Sequence, residues 1–160
     1  SIHSRFTGDP SEEISTNALL GELRCLSVQK NFGPLEAKAR SLIDKAEKAL
    51  KGARLPDRLV MGAYNARGDV YFSKNQFKEA LLDYLRGPVE LNRSGNPSLE
   101  HEMALAKISL TCGRISAESK DPTEKQEYRG RAMGWLEELK RVYPASPWVK
   151  KVGDELSAIR

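Results

Sequence analysis

Tyr64-x2-Arg67-Gly68-x2-Tyr71, a break at Lys74-Asn75-Gln76, then Phe77-x2-Ala80-x3-Tyr84-x2-Gly87: this run sets the architecture of the chain. Before the break, Leu59, Ala63, Ala66 and Val70 recur at helical spacing; after it, Phe77, Ala80, Leu81, Tyr84 and Leu85 do the same. Two helices joined by so short a turn fold back on one another. Small residues at Gly68, Ala80 and Gly87 allow their close approach, and the rings of Tyr64, Tyr71, Phe77 and Tyr84 fill the gaps between this pair and its neighbours. Gly87-Pro88 is expected to stop or kink the second helix, because proline lacks the amide donor and clashes one turn back.

Helical periodicity extends in both directions from this pair. After Asp9-Pro10-Ser11 and the acidic first turn of Glu12 and Glu13, apolar positions run Ile14, Ala18, Gly21, Cys25 and Val28. Asn31-Phe32-Gly33-Pro34 breaks that helix, and Leu35, Ala39, Leu42, Ile43, Ala46 and Leu50 form the next, ending near Gly52. Beyond the loop Asn92 to Pro97, the fifth helix carries Leu99, Met103, Ala106 and Leu110 together with Leu105, Ile108, Cys112 and Ile115. Its apolar surface is wide enough to pack on two sides. Asp121-Pro122-Thr123 starts a sixth with Tyr128, Ala132, Trp135, Leu136, Leu139, Val142 and Tyr143. Pro144-Ala145-Ser146-Pro147 separates it from a last helix with Trp148, Val152, Leu156 and Ile159 on one side. No stretch reads as a strand, so seven helices and an all-α fold are expected.

With 160 residues the chain has the size of one domain or one short repeat array. Hydrophobic residues at 39% and charged residues at 30% argue for a folded chain and against disorder. There are 26 Lys and Arg against 22 Asp and Glu, a formal charge of +4. Only residues 36–58 hold a clear basic excess, 7 against 4, and Glu36, Asp44, Glu47 and Asp57 are interleaved there. That mixing describes a solvated helix face with pairs such as Asp44 and Lys48, which makes nucleic acid an unlikely partner. Cys25 and Cys112 lie inside apolar helical patterns and are read as reduced, buried thiols. No run approaches the roughly 18 apolar residues of a membrane-spanning helix. The chain begins Ser1-Ile2-His3 without a methionine, as an excised or processed piece does.

The run from Tyr64 to Gly87 resembles the tetratricopeptide repeat, whose pattern is an aromatic, two residues, Leu-Gly, two residues, Tyr, then Ala-x3-Phe. Arg67 departs from the family's Leu, and Asn92 stands where the family often has Pro. The resemblance implies a right-handed solenoid of helical hairpins, about three repeat-like pairs followed by a capping helix. Residues 1–9 are expected to be a disordered or extended lead-in to a single domain over 10–160. Within it, 10–52 is a degenerate pair, 56–91 the firm repeat, 98–144 an extended pair and 145–160 the cap. Leu139-x3-Tyr143-Pro144-x-Ser146-Pro147 is similar to a junction in bacterial envelope repeat proteins, which leans localisation toward the cell envelope.

The chemistry available for catalysis is thin. His3 and His101 are the two histidines, and Leu105 occupies the place where a second imidazole would complete a His-Glu-x-x-His zinc motif. No phosphate-binding glycine loop, nucleophile elbow or paired-cysteine metal site is present, so neither an enzyme nor a cofactor is expected. The resemblance implies instead a concave groove that binds a peptide or partner protein, as in a scaffold or adaptor. It points Asn65, Asp69, Phe72 and Ser73 at that groove, with Lys107 and Arg114 from the next pair. In the family's chaperone-binding members a Lys and Asn clamp holds a C-terminal carboxylate. Here Asn65 and Asp69 occupy those places, and an acid there repels such a ligand. Two alternatives remain: self-association through Trp148 and Val152, and a basic face of Lys38, Arg40, Lys45, Lys48 and Lys51 for nucleic acid or anionic lipid.

Overall fold

The computed structural model describes residues 10–49 and 54–159. The lead-in 1–9 and Leu50, Lys51 and Gly52 lie outside the described residues. The described residues form seven helices and no strand: α1 Pro10–Val28, α2 Phe32–Lys48, α3 Asp57–Ser73, α4 Phe77–Arg86, α5 Leu99–Glu118, α6 Pro122–Val142 and α7 Pro147–Ala158. None of them is long and apolar enough to cross a membrane.

Local signals account for most boundaries. The hydroxyl of Ser98 accepts from the His101 amide at the start of α5, and Asp121 and Ser146 cap α6 and α7 in the same way. Pro122 and Pro147 occupy first-turn positions, where no amide donor is needed. Asn75 takes a left-handed conformation (φ 59°) in the turn between α3 and α4, a position that asparagine tolerates better than most residues. Phe32-Gly33-Pro34 does not break the chain but opens α2; the break is one turn earlier, where Lys30 is left-handed (φ 57°).

At Gly87-Pro88 the regular helix α4 stops after Arg86, as expected, and the chain widens into a π turn over Gly87–Leu91, closed by Asn92 N donating to Gly87 O at 2.9 Å. The wider turn removes the clash of the proline ring with the preceding carbonyls.

Each helix packs on its neighbours in chain order, and the backbones of α1, α3, α5 and α7 also approach in succession; among the described residues, side chains reach further, with Arg24 of α1 pairing with Glu100 of α5 and Lys78 of α4 with Glu124 of α6. Apolar side chains gather in two clusters. One joins α1, α2 and α3 through Leu20, Leu23, Leu35, Ile43, Leu59 and Val70, and the other joins α4 to α7 through Phe77, Tyr84, Ile108, Leu139 and Val152. As expected, α5 is buried on two sides, with Leu105, Ile108, Ser109, Thr111, Cys112 and Ser116 all removed from solvent.

The first helix departs from its reading. α1 buries Thr16, Leu20 and Leu23, whereas Ile14, Ala18, Cys25 and Val28 face solvent. Cys25 is thus exposed and Cys112 buried. Two apolar stripes compete on α1, and the one rich in leucine offers more area to bury.

Candidate functional site

The residues of the repeat resemblance interlock. Gly68 lies under the ring of Tyr84, where an added Cβ would come within 2.5 Å of Tyr84 Cε1. At Gly87 a Cβ would meet Met61 Cγ at 2.8 Å. Ala80 and Phe77 are buried beside them, and Tyr64 is buried while Tyr71 is half-buried. Arg67, the departure from the repeat pattern, forms two hydrogen bonds of 2.8 Å to Asp83, itself buried, and thereby ties α3 to α4. Its guanidinium also lies over the rings of Tyr64 and Tyr71, at 5.4 and 5.9 Å.

Tyr84 anchors the residues expected to face a groove. Its hydroxyl donates to Asp69 Oδ1 at 2.6 Å, and burial, with the Asp69 carboxylate beside it, pushes its phenol well above the ordinary range. The same carboxylate accepts from Ser27 on α1 and from Lys107 Nζ on α5, the latter at 2.6 Å to both oxygens. Asp69 therefore joins four helices and carries no unbalanced charge. The acid expected to repel a carboxylate ligand is thus paired with the Lys107 ammonium.

Asn65 is only 5% exposed and faces inward rather than into an open groove. Its amide donates to Glu100 O at 2.9 Å, and its Oδ1 is buried without a partner. Glu100 in turn pairs with Arg24 at 2.6 Å. The space among Leu20, Arg24, Asn65, Glu100 and Lys107 is about 20 Å³, too small for a ligand side chain. Ser73 donates to Val70 O in its own helix at 2.6 Å, and Arg114 is exposed one helical turn past Leu110.

An open cleft of about 170 Å³ lies further along, lined by Asp69, Phe72, Tyr84, Lys107, Leu110, Thr111 and Trp148. Of the six expected groove residues it unites Asp69, Phe72 and Lys107, and leaves out Asn65, Ser73 and Arg114. Phe72 is held edge-on against Phe77 with ring centroids 4.9 Å apart. Leu110 and Trp148 were not foreseen as lining residues. Leu110 belongs to the α5 stripe of Leu99, Met103 and Ala106, whose exposure periodicity does not reveal. Trp148 comes from a helix read as a cap and, in the alternative, as a surface for self-association. The cleft has apolar walls of Phe72, Leu110 and Trp148 over a floor whose two charges cancel. The Asp69 carboxylate and the Lys107 ammonium engage one another, and Thr111 Oγ1 donates to Lys107 O at 2.6 Å.

The surfaces of the two alternatives are also placed. Val152 is 0% exposed and offers no surface for self-association, whereas Trp148 is half-buried and lines the cleft. In the basic segment, Lys38 pairs with Glu22, Arg40 with Glu36 and Lys48 with Asp44, while Lys45 is exposed and Lys51 lies outside the described residues.

Comparison of the chain with protein-family models, with curated proteins and with solved structures found no match.

Proposed function

We propose that this chain is a protein-interaction module of the tetratricopeptide type, a scaffold or adaptor that holds a segment of a partner protein in the cleft between α3, α5 and α7. The reading takes α1–α2, α3–α4 and α5–α6 as three stacked pairs of a right-handed solenoid, with α7 as the cap. Close backbone approach limited to near neighbours in chain order supports it, because each unit of a stacked array packs mainly on the next. The carrying observation is the cleft itself: Phe72, Leu110 and Trp148 around the neutralised Asp69–Lys107 pair. A large apolar side chain of the ligand would fill it, with the polar rim excluding water. No catalytic role and no cofactor belong to this reading. Interleaved ion pairs along α2 leave a polyanion little unopposed charge to recognise, which disfavours the basic-face alternative.

The test is selection of a random peptide library on immobilised wild-type protein and on Leu110→Glu, after circular dichroism shows that the variant folds. The expected result is enrichment of peptides sharing one large apolar residue on wild type, and its loss on Leu110→Glu. Equal enrichment on both proteins removes the cleft from the site.

A further inference from the structure

Three helices carry a small residue in the same register: Tyr64-x2-Arg67-Gly68-x2-Tyr71 in α3, Leu105-x2-Ile108-Ser109-x2-Cys112 in α5 and Val149-x2-Val152-Gly153-x2-Leu156 in α7. In the first two, the helix that follows covers the small residue. Tyr84 of α4 lies over Gly68, and Ser109 Oγ donates to Ala132 O of α6 at 2.6 Å. In α7, a Cβ at Gly153 would meet nothing within 4 Å. Among the described residues α3 and α5 are each flanked by an even-numbered helix on both sides, whereas α7 has α6 alone. A glycine inside a helix is destabilising relative to alanine and suits a place where another backbone comes close.

Gly153 opens onto a groove of about 330 Å³ between α6 and α7, walled by Met133 and Leu136 on one side and Leu156 and Ile159 on the other. Met133 is 46% exposed there. Arg129, Met133, Leu136 and Lys140 follow one another at four, three and four residues and so share one face of α6. The two cations also line the groove, about 16 Å apart along the helix, on either side of the apolar pair. None of the lining residues is an acid. Lys140 meets Glu137 at 3.1 Å on the exposed surface of α6, and Arg129 has no ion pair among the described residues. We propose that this groove seats an amphipathic helix of a partner protein, which lays an apolar stripe over Gly153 and Leu136 and sets acidic side chains against Arg129 and Lys140. The distance between the cations is about three helical turns, a span that suits a helix in a groove and exceeds a single side chain.

This seat is separate from the cleft between α3, α5 and α7 and stands or falls without it. The probes are two synthetic helical peptides of about sixteen residues, long enough to pass both cations, each with one stripe of leucines. Glutamates flank the stripe in one peptide and lysines in the other. Isothermal titration of the full chain is expected to show the glutamate peptide binding about tenfold more tightly than the lysine peptide. Gly153→Leu places its side chain in open space and should abolish binding at unchanged net charge, which separates the groove from general attraction to a basic protein. Arg129→Glu should weaken the glutamate peptide by about tenfold, and Leu110→Glu should leave it unaltered. Arg129 is exposed, so this variant keeps the test decisive even where Gly153→Leu lowers the melting temperature. Failure of both peptides to bind, equal binding of the two, or binding that survives Gly153→Leu and Arg129→Glu overturns the proposal. Binding lost with Leu110→Glu overturns it too, since that places the peptide in the cleft. So does a dimer of the protein alone in sedimentation equilibrium that Gly153→Leu dissociates, because it assigns the groove to a second copy.

Discussion

Helices α1 and α3 both show regular apolar spacing, and the fold uses them in opposite ways. In α3 the positions Leu59, Ala63, Ala66 and Val70 are all buried, and Gly68 is packed beneath Tyr84. In α1 the regular stripe points outward, and burial goes to Thr16, Leu20 and Leu23. Periodicity identifies a helix without saying which face the protein covers. The face becomes legible only where a second feature accompanies the stripe. In α3 that feature is a small residue matched to a ring sixteen positions on. α1, where Ala18 and Gly21 lack any such match within the chain, has none.

The comparison is broken most severely at Asp69. Asp69→Ala leaves the Lys107 ammonium buried beside an empty place and strips Ser27 and Tyr84 of their acceptor. A loss of roughly 3–5 kcal/mol is expected in urea unfolding. Glu22→Ala, which removes the exposed pair of α1 with Lys38, is expected to cost less than about 1 kcal/mol in the same assay.

The two helix-interior glycines sharpen the contrast through the sign of one substitution. Gly68→Ala drives a methyl group into the buried Tyr84 ring and should cost about 1–3 kcal/mol. Gly21→Ala should stabilise by about 0.5–1 kcal/mol, because the methyl enters open space and improves helix propensity. Equal signs for the two would remove the distinction drawn between the helices.

Thiol labelling reads the same difference by rate. Burial pushes the Cys112 thiol up to about 11, and the residue is sealed between helices, so it should react with a maleimide only after unfolding. Exposed Cys25 should be modified in the native protein, giving one label per chain by mass spectrometry.

The smallest effect expected is that of pH. Burial lowers the pKa of His101 below its ordinary 6.5, with Glu138 opposing the shift. The unfolded chain therefore binds the proton more readily than the folded one. Stability should be fully present above about 6.5 and decline as pH falls toward the lowered folded value. His101→Gln should flatten that slope in thermal melts taken across this range.

Much of the fold was open to sequence reasoning because its causes are local. Ser98, Asp121 and Ser146 cap helices a few residues away, Pro122 and Pro147 begin them, and Gly68 and Ala80 meet their partners across one tight turn. The π turn at Gly87–Leu91 escaped it, since proline forbids a regular turn without specifying which irregular one replaces it. Half of the expected groove escaped it as well. Asn65 was placed by its register in a repeat, but register does not reveal that Glu100, thirty-five residues on, claims its amide.

Helix number, most helix limits and the close packing of α3 on α4 could be derived from composition and spacing, since propensity, capping and small-to-large pairing act between residues near in the chain. The outward turn of α1, the four-helix junction at Asp69 and the apolar cleft belong to tertiary structure. Ser27 and Lys107 reach Asp69 from forty-two and thirty-eight positions away, and Trp148 arrives from a separate helix. Which of two apolar stripes is buried, and which acid meets which base, depends on the competition among all surfaces available at once, and no local pattern encodes that outcome.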